Sequence, residues 1–197
     1  MSRFIETIRL QDGVFYNLFQ HEQRMRRTLQ YVHGEGDVNL EELLDATTRP
    51  DSGLYKCRVV YDEVERQIEF VPYEARRVAS LKLVEDNYIQ YEFKYQNRDR
   101  LNKLFSHRND CDDVLIIKKG MVTDTSYANV AFKRGKEWIT PWNCLLRGTM
   151  RQKLLDENVI KEELITLKDI GRFESVKLIN SMLGFDAPEI EISKIIV

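Results

Sequence analysis

VLIIKKGMVTDTSYANVAFKRGKEWIT, residues 114–140, is the stretch whose reading decides the fold. Short runs rich in β-branched and apolar residues are broken at Lys119-Gly120 and Arg134-Gly135, where glycine supplies the left-handed backbone of a tight turn. The spacing predicts two hairpins, with Asp124 just after a short strand. Upstream, VASLKLV (78–84) reads as another strand and LNKLF (101–105) as a helix. Downstream, MRQKLLDEN (150–158) reads as a helix and the run from Val176 as strand, then a loop near Gly184–Pro188.

The N-terminal part has the same mixed character. RFIETIRL (3–10) alternates polar with apolar, Gln11-Asp12-Gly13 carries turn chemistry, and Val14 to Tyr16 resume strand formers, which makes a hairpin. Leu18, Met25, Leu29 and Val32 then fall at helical spacing, with His21, Arg24, Arg26 and Arg27 between them and Gly34 at the end. Asn39 with Glu42 resembles a capping box for a short helix. LYKCRVVY (54–61) and VERQIEFV (64–71) form a second predicted hairpin around Asp62-Glu63. Pro72 and the charged stretch Glu74–Arg77 interrupt the pattern, so a boundary is placed near residue 75. The expected organisation is a small α/β lobe, 1–75, and a strand-rich lobe, 76–197.

Of 197 residues, 43% are hydrophobic and 31% charged, enough for a sizeable core under a well-solvated surface. Thirty basic and thirty-two acidic residues leave a formal net charge of -2, which gives no general pull toward nucleic acid or a membrane. Arg3, Glu6 and Arg9 stand where a signal peptide would need an apolar run, and three widely spaced cysteines suggest neither disulfides nor zinc. A soluble cytoplasmic protein is expected.

No glycine-rich phosphate loop, histidine pair at metal spacing or nucleophile elbow is present. Single residues remain. Lys94, in YIQYEFKYQNRDRL (88–101), lies in a half-apolar stretch, and a partly desolvated lysine suits Schiff-base chemistry; a surface lysine on an edge strand fits the same residues. Asp124 at a strand end is placed to keep a ring nitrogen protonated, or is a turn residue. Gly148-Thr149-Met150-Arg151 opens a helical run whose free amides and Thr149 hydroxyl could bind a phosphate or simply cap the helix. Arg24 is a phosphate ligand or a solvated helix arginine, and His21 reads as a packing residue.

In order along the chain, FIETIR (4–9), LFQHEQRM (18–25), KYQNR (94–98), VTDTSYANVAF (122–132), ITP (139–141), LLRGTMRQKLL (145–155) and KLINSMLG (177–184) resemble the class IV aminotransferase family, pyridoxal-phosphate (PLP) fold type IV. The likeness is greatest to its aminodeoxychorismate-lyase branch. It implies a two-lobed α/β (α+β) fold with a C-terminal β-rich pseudo-barrel, pyridoxal 5'-phosphate as cofactor, a small-molecule amine substrate and a homodimer. Lys94 matches the lysine that bonds the cofactor, and Arg24 the arginine on its phosphate. Thr149 and Met150 match the pair whose amides sit on the phosphate, and Ser181 with Met182 falls in the last phosphate-side loop. Asp124 takes the place of the acid at the pyridine nitrogen, and Arg98 falls on the substrate side.

The departures are an aspartate where the family usually has glutamate, and Met150 where many transaminases have threonine. The chain also lacks the family's opening segment, the glycine-rich loop after the strand holding Arg58, and the usual C-terminal tail. The resemblance implies a lyase that releases pyruvate and 4-aminobenzoate. The alternatives are an amino-acid transaminase on the same residues and a non-catalytic relative that keeps the cofactor site.

Overall fold

The computed structural model describes residues 2–34 and 36–197. The chain folds as two compact units, one comprising Met1–Ala75 with Phe93–Asn97, the other Arg76–Glu92 with Arg98–Val197.

In the first unit, β1 (Phe4–Gln11) turns at Asp12-Gly13 into the short β2 (Val14–Phe15). Both turn residues have positive φ, 48° and 75°, the backbone of a two-residue hairpin whose twist matches its strands. Helix α1 (Leu18–His33) ends at Gly34, whose φ of 80° closes the last turn. Helix α2 (Leu40–Asp45) is capped by the Asn39 side chain, which accepts from the Glu42 amide at 3.1 Å. Strands β3 (Leu54–Tyr61) and β4 (Arg66–Pro72) complete an antiparallel sheet of order β2-β1-β3-β4. Phe4, Ile8, Met25, Leu29, Leu40, Leu44, Val59 and Tyr61 are among the buried residues that make its core. Along β1 the even positions Phe4, Glu6, Ile8 and Leu10 are all sealed from water, as the period of two requires of one strand face. One of the four is an acid.

Because β2 pairs only with the far end of β1, the edge near Ile5 is open to another segment. Phe93–Asn97 takes it. The Ile5 amide donates to the Lys94 carbonyl at 2.9 Å and the Gln96 amide to the Arg3 carbonyl at 2.8 Å, with Phe4 opposite Tyr95 in a single bridge. The rings of Phe4, Phe93 and Tyr95 lie 5.3–6.2 Å apart.

The second unit contains β5 (Leu81–Glu85), α3 (Asp99–Ser106), β6 (Asp113–Lys118), β7 (Met121–Thr125), β8 (Asn129–Arg134), β9 (Glu137–Pro141), α4 (Thr149–Asp156), β10 (Lys161–Glu163), β11 (Ser175–Ile179), β12 (Ile190–Glu191) and β13 (Ile195–Ile196). Two sheets, β13-β5-β6-β7 and β10-β9-β8-β11-β12, share one apolar core built from Leu81, Leu115, Val122, Val130, Phe132, Ile139, Val176 and Leu178 among others. The mixed α/β architecture is the expected one. Two details differ from the sequence reading. The β8–β9 turn is Gly135-Lys136 rather than Arg134-Gly135, since Arg134 still pairs with Glu137. Asp124 lies inside β7 rather than just after a strand, since Thr125 still pairs with Leu115. The strands β7 and β8 lie in different sheets, and residues 125–128 carry the chain across, held by Thr125, whose amide donates to the Ala128 carbonyl at 2.9 Å. No helix among the described residues is long and apolar enough to cross a membrane.

Candidate active site

In the first unit the buried acid on β1 gathers the candidates. Glu6 is 0% exposed and accepts from Arg24 at two points, Nε to Oε1 at 2.9 Å and a terminal nitrogen to Oε2. His21, also 0% exposed and one turn earlier on α1, places Nδ1 2.6 Å from the same Oε2. Burial alone raises Glu6, but the Arg24 charge and the hydrogen bonds from His21 and Arg24 outweigh it and hold the carboxyl at about 2. Burial keeps His21 below its ordinary value against the pull of Glu6, with the charges of Arg24 and Lys94 acting in the same direction as burial. Lys94 is half-buried on the edge of β1, with its backbone fixed at the residue next to Glu6. It sits on an extended crossing segment that makes a single bridge, not on the regular edge strand suggested by sequence. Arg24 and Lys94 are thus brought to one neighbourhood. Of the other two helix arginines, Arg27 is exposed, while Arg26 is half-buried and reaches the Val38 carbonyl at 2.7 Å.

In the second unit Asp124 is the penultimate residue of β7, with 6% exposure. Its Oδ1 accepts from the Asn129 side chain at 2.8 Å and its Oδ2 from the Leu146 amide at 2.9 Å, both uncharged donors. Burial pushes its pKa up to about 6, against the lowering effect of those bonds, of the Arg151 charge and of the Leu145 amide. Asn129 also donates to the Leu146 carbonyl at 2.8 Å and so ties the start of β8 to the segment before α4. At that helix start a Cβ on Gly148 would meet Asn129 Oδ1 at 2.0 Å; only glycine leaves room. Thr149, buried, and Met150, half-buried, follow directly, so Asp124, Thr149 and Met150 are joined through one asparagine and one glycine. Ser181 lies in a turn in which Asn180 Oδ1 accepts from the Met182 and Leu183 amides at 2.9 Å, and Asn180 reaches the Tyr127 carbonyl at 3.5 Å. Arg98 donates to the Ser126 carbonyl at 2.7 Å. The crossing loop after Asp124 is therefore contacted by Arg98 and by Asn180 of the Ser181 turn.

Sequence reading gave no role to Glu6 or Asn129, and read Gly148 only as part of a helix start. For Glu6 a signal existed, since an acid at a core position of an alternating strand needs a partner. The Asn129–Gly148 contact joins residues far apart in sequence and left no local trace.

A half-buried lysine near a buried arginine in one unit, and a buried carboxyl tied to a helix start in the other, are the candidate groups, and comparison with known proteins shows the family. The family model for amino-transferase class IV matches residues 67–186. The chain belongs to the class IV aminotransferase family, a family of PLP-dependent enzymes. It is 37% identical over 187 residues to an uncharacterized protein of Haemophilus influenzae, covering 93% of this chain and 100% of that one. It is 30% identical over 202 residues to a Schizosaccharomyces pombe protein provisionally named an aminodeoxychorismate lyase, covering 91% of this chain and 86% of the other. Among solved structures, one from Haemophilus somnus 129PT, provisionally named a 4-amino-4-deoxychorismate lyase, superposes with a TM-score of 0.87 at 31% identity, covering 94% of this chain and 98% of that one. A PLP-bound hypothetical aminotransferase from Mycobacterium tuberculosis shares the fold, with a TM-score of 0.75 at 16% identity over 95% of this chain and 80% of its own.

Proposed function

We propose that this chain is a PLP-dependent lyase that converts aminodeoxychorismate to 4-aminobenzoate and pyruvate, working in the cytoplasm as a homodimer. The observation that carries the cofactor reading is Asp124. A carboxyl sealed from water whose hydrogen-bond donors are uncharged, with the Arg151 charge acting on it without a hydrogen bond, suits a cationic ring nitrogen, which would repay its desolvation. A half-buried Lys94 also suits the group. The provisional names of the S. pombe and H. somnus relatives support the lyase chemistry.

PLP, when bound, supplies an electron sink for charge developing on the substrate carbon. Lys94 Nζ would hold the cofactor and would be the base that takes the proton from the ring carbon bearing the substrate amine. Arg24 and the amides of Thr149 and Met150 bind the phosphate, with Ser181 beside them. Asp124 keeps the ring nitrogen protonated, and Arg98 meets the substrate.

Purified protein titrated with PLP should develop a visible absorption band, and borohydride reduction followed by peptide mapping should place the label on Lys94. A label on another lysine would remove Lys94 from its role. Pyruvate release from aminodeoxychorismate then separates the lyase from a transaminase, which would yield a keto acid from an amino acid instead. A saturated band with neither product would leave a binding module.

A further inference from the structure

Arg24 is 7% exposed, and its guanidinium does not lose its proton at any ordinary pH. A cation so placed needs an anion beside it whether or not a ligand is present. Glu6 is that anion. It takes Nε and one terminal nitrogen of the guanidinium in the two-point geometry that fixes the plane of the group as well as its position. Its own carboxylate is held by His21 Nδ1 at 2.6 Å, and the Arg24 backbone by the Thr28 hydroxyl, which donates to the Arg24 carbonyl at 2.8 Å. Phe4 and Ile8, on the same strand face, are 0% exposed and close the site to water.

We propose that Glu6 is a positioning residue for the cofactor phosphate, a built-in counter-ion that keeps the Arg24 cation buried and oriented before the phosphate arrives. This rests on the reading of Arg24 as a phosphate ligand. Glu6 touches neither cofactor nor substrate in this role and acts through the arginine. Because the arginine is already neutralised and oriented, the cofactor-free protein keeps the site assembled. Remove the carboxylate charge and the phosphate must do the neutralising as well, so stability becomes dependent on the ligand.

The test compares melting temperatures of wild type, Glu6→Gln, Arg24→Met and the double variant, each cofactor-free, with saturating PLP, and with inorganic phosphate. Glu6→Gln should lower the cofactor-free Tm by about 6 to 12 °C, as expected for stranding a buried charge in a domain of this size. PLP should restore at least half of that loss, and phosphate should restore part of it. An equal loss with and without ligand would overturn the proposal, because Glu6 would then serve packing alone. Arg24→Met should weaken PLP binding about tenfold. Unchanged affinity there would sink the phosphate reading of Arg24 itself, a failure distinct from that of Glu6. Should Glu6→Gln not fold, the double variant decides. With both charges gone it should fold, melt above Glu6→Gln and show no response to phosphate. If the double variant fails to fold as well, Glu6 is needed for something other than Arg24.

Discussion

Glu6 and Asp124 are carboxyls hidden from water, one in each unit, and their acidities move in opposite directions. Burial raises both. Glu6 meets a guanidinium at two points and ends at about 2, whereas Asp124 is hydrogen-bonded by uncharged donors, feels the Arg151 charge without a hydrogen bond to it, and ends at about 6. Desolvation is common to the two sites, so the partner's charge decides the outcome. A buried acid paired by its own fold is a structural device. A buried acid left with neutral donors holds unspent interaction energy, and such groups cluster where a charged ligand or transition state is to be met.

The comparison breaks most visibly if Asp124 is not waiting for a cation. Asp124→Asn should lower turnover by about a hundredfold or more, the scale on which single preorganised electrostatic contacts act, while PLP occupancy changes far less. Asp124→Glu, which restores the usual family residue, should retain turnover near wild type or raise it. Kinetics with occupancy measured on the same samples decide this, and equal turnover of Asp124→Asn at full occupancy would reduce Asp124 to a turn residue.

The two acids also predict opposite pH arms in the cofactor-free protein. The folded pKa of Asp124, about 6, lies above its ordinary 3.8, so the folded state retains a proton that the unfolded chain has released. Its contribution is most favourable below 3.8 and is lost as pH rises through 6. Glu6, about 2 when folded against an ordinary 4.5, contributes fully above 4.5 and loses that contribution as pH falls through 2. Each arm is worth about 3 kcal/mol by the free energy of a pKa unit. Urea unfolding at a series of pH values should show both arms, and Asp124→Asn should flatten only the one between 3.8 and 6. Loss of the acid arm in that variant would mean that the two sites are not independent.

Much of this was legible along the chain. The β1–β2 turn at Asp12-Gly13, the close of α1 at Gly34 and the Asn39 cap are written in local residue types. Strand partnership is not. VTDTSYANVAF reads as strand, loop, strand, yet β8 pairs with β11 and β6 runs parallel to β5, contacts between segments that a local pattern cannot link. The site divides the same way. Lys94 stands out because a charge interrupts a half-apolar stretch and Asp124 because of its place at a strand end, whereas Asn129 acts through its bonds to Asp124 and to the segment before α4, and Glu6 only through two side chains on a helix.

Gly148 offers the smallest and most local test of how Asp124 is held. Its φ and ψ of -68° and 146° are open to any residue, so Gly148→Ala brings no backbone strain. The new Cβ would instead lie 2.0 Å from Asn129 Oδ1, and the asparagine has to turn away. In turning it gives up its bonds to Asp124 and to the Leu146 carbonyl, each worth about 1 kcal/mol. A fall in Tm of roughly 4 to 8 °C is expected for a domain of this size. With one of its two donors gone, Asp124 should titrate higher still, so the neutral-side pH arm should lengthen while the Glu6 arm stays in place. Gly171→Ala is the control, since nothing lies within 4 Å of its Cβ position. If Asn129 is the route, adding Gly148→Ala to Asn129→Ala should cost little more than Asn129→Ala alone. Additive losses would show that the glycine serves the helix start directly and that the clamp on Asp124 does not depend on it.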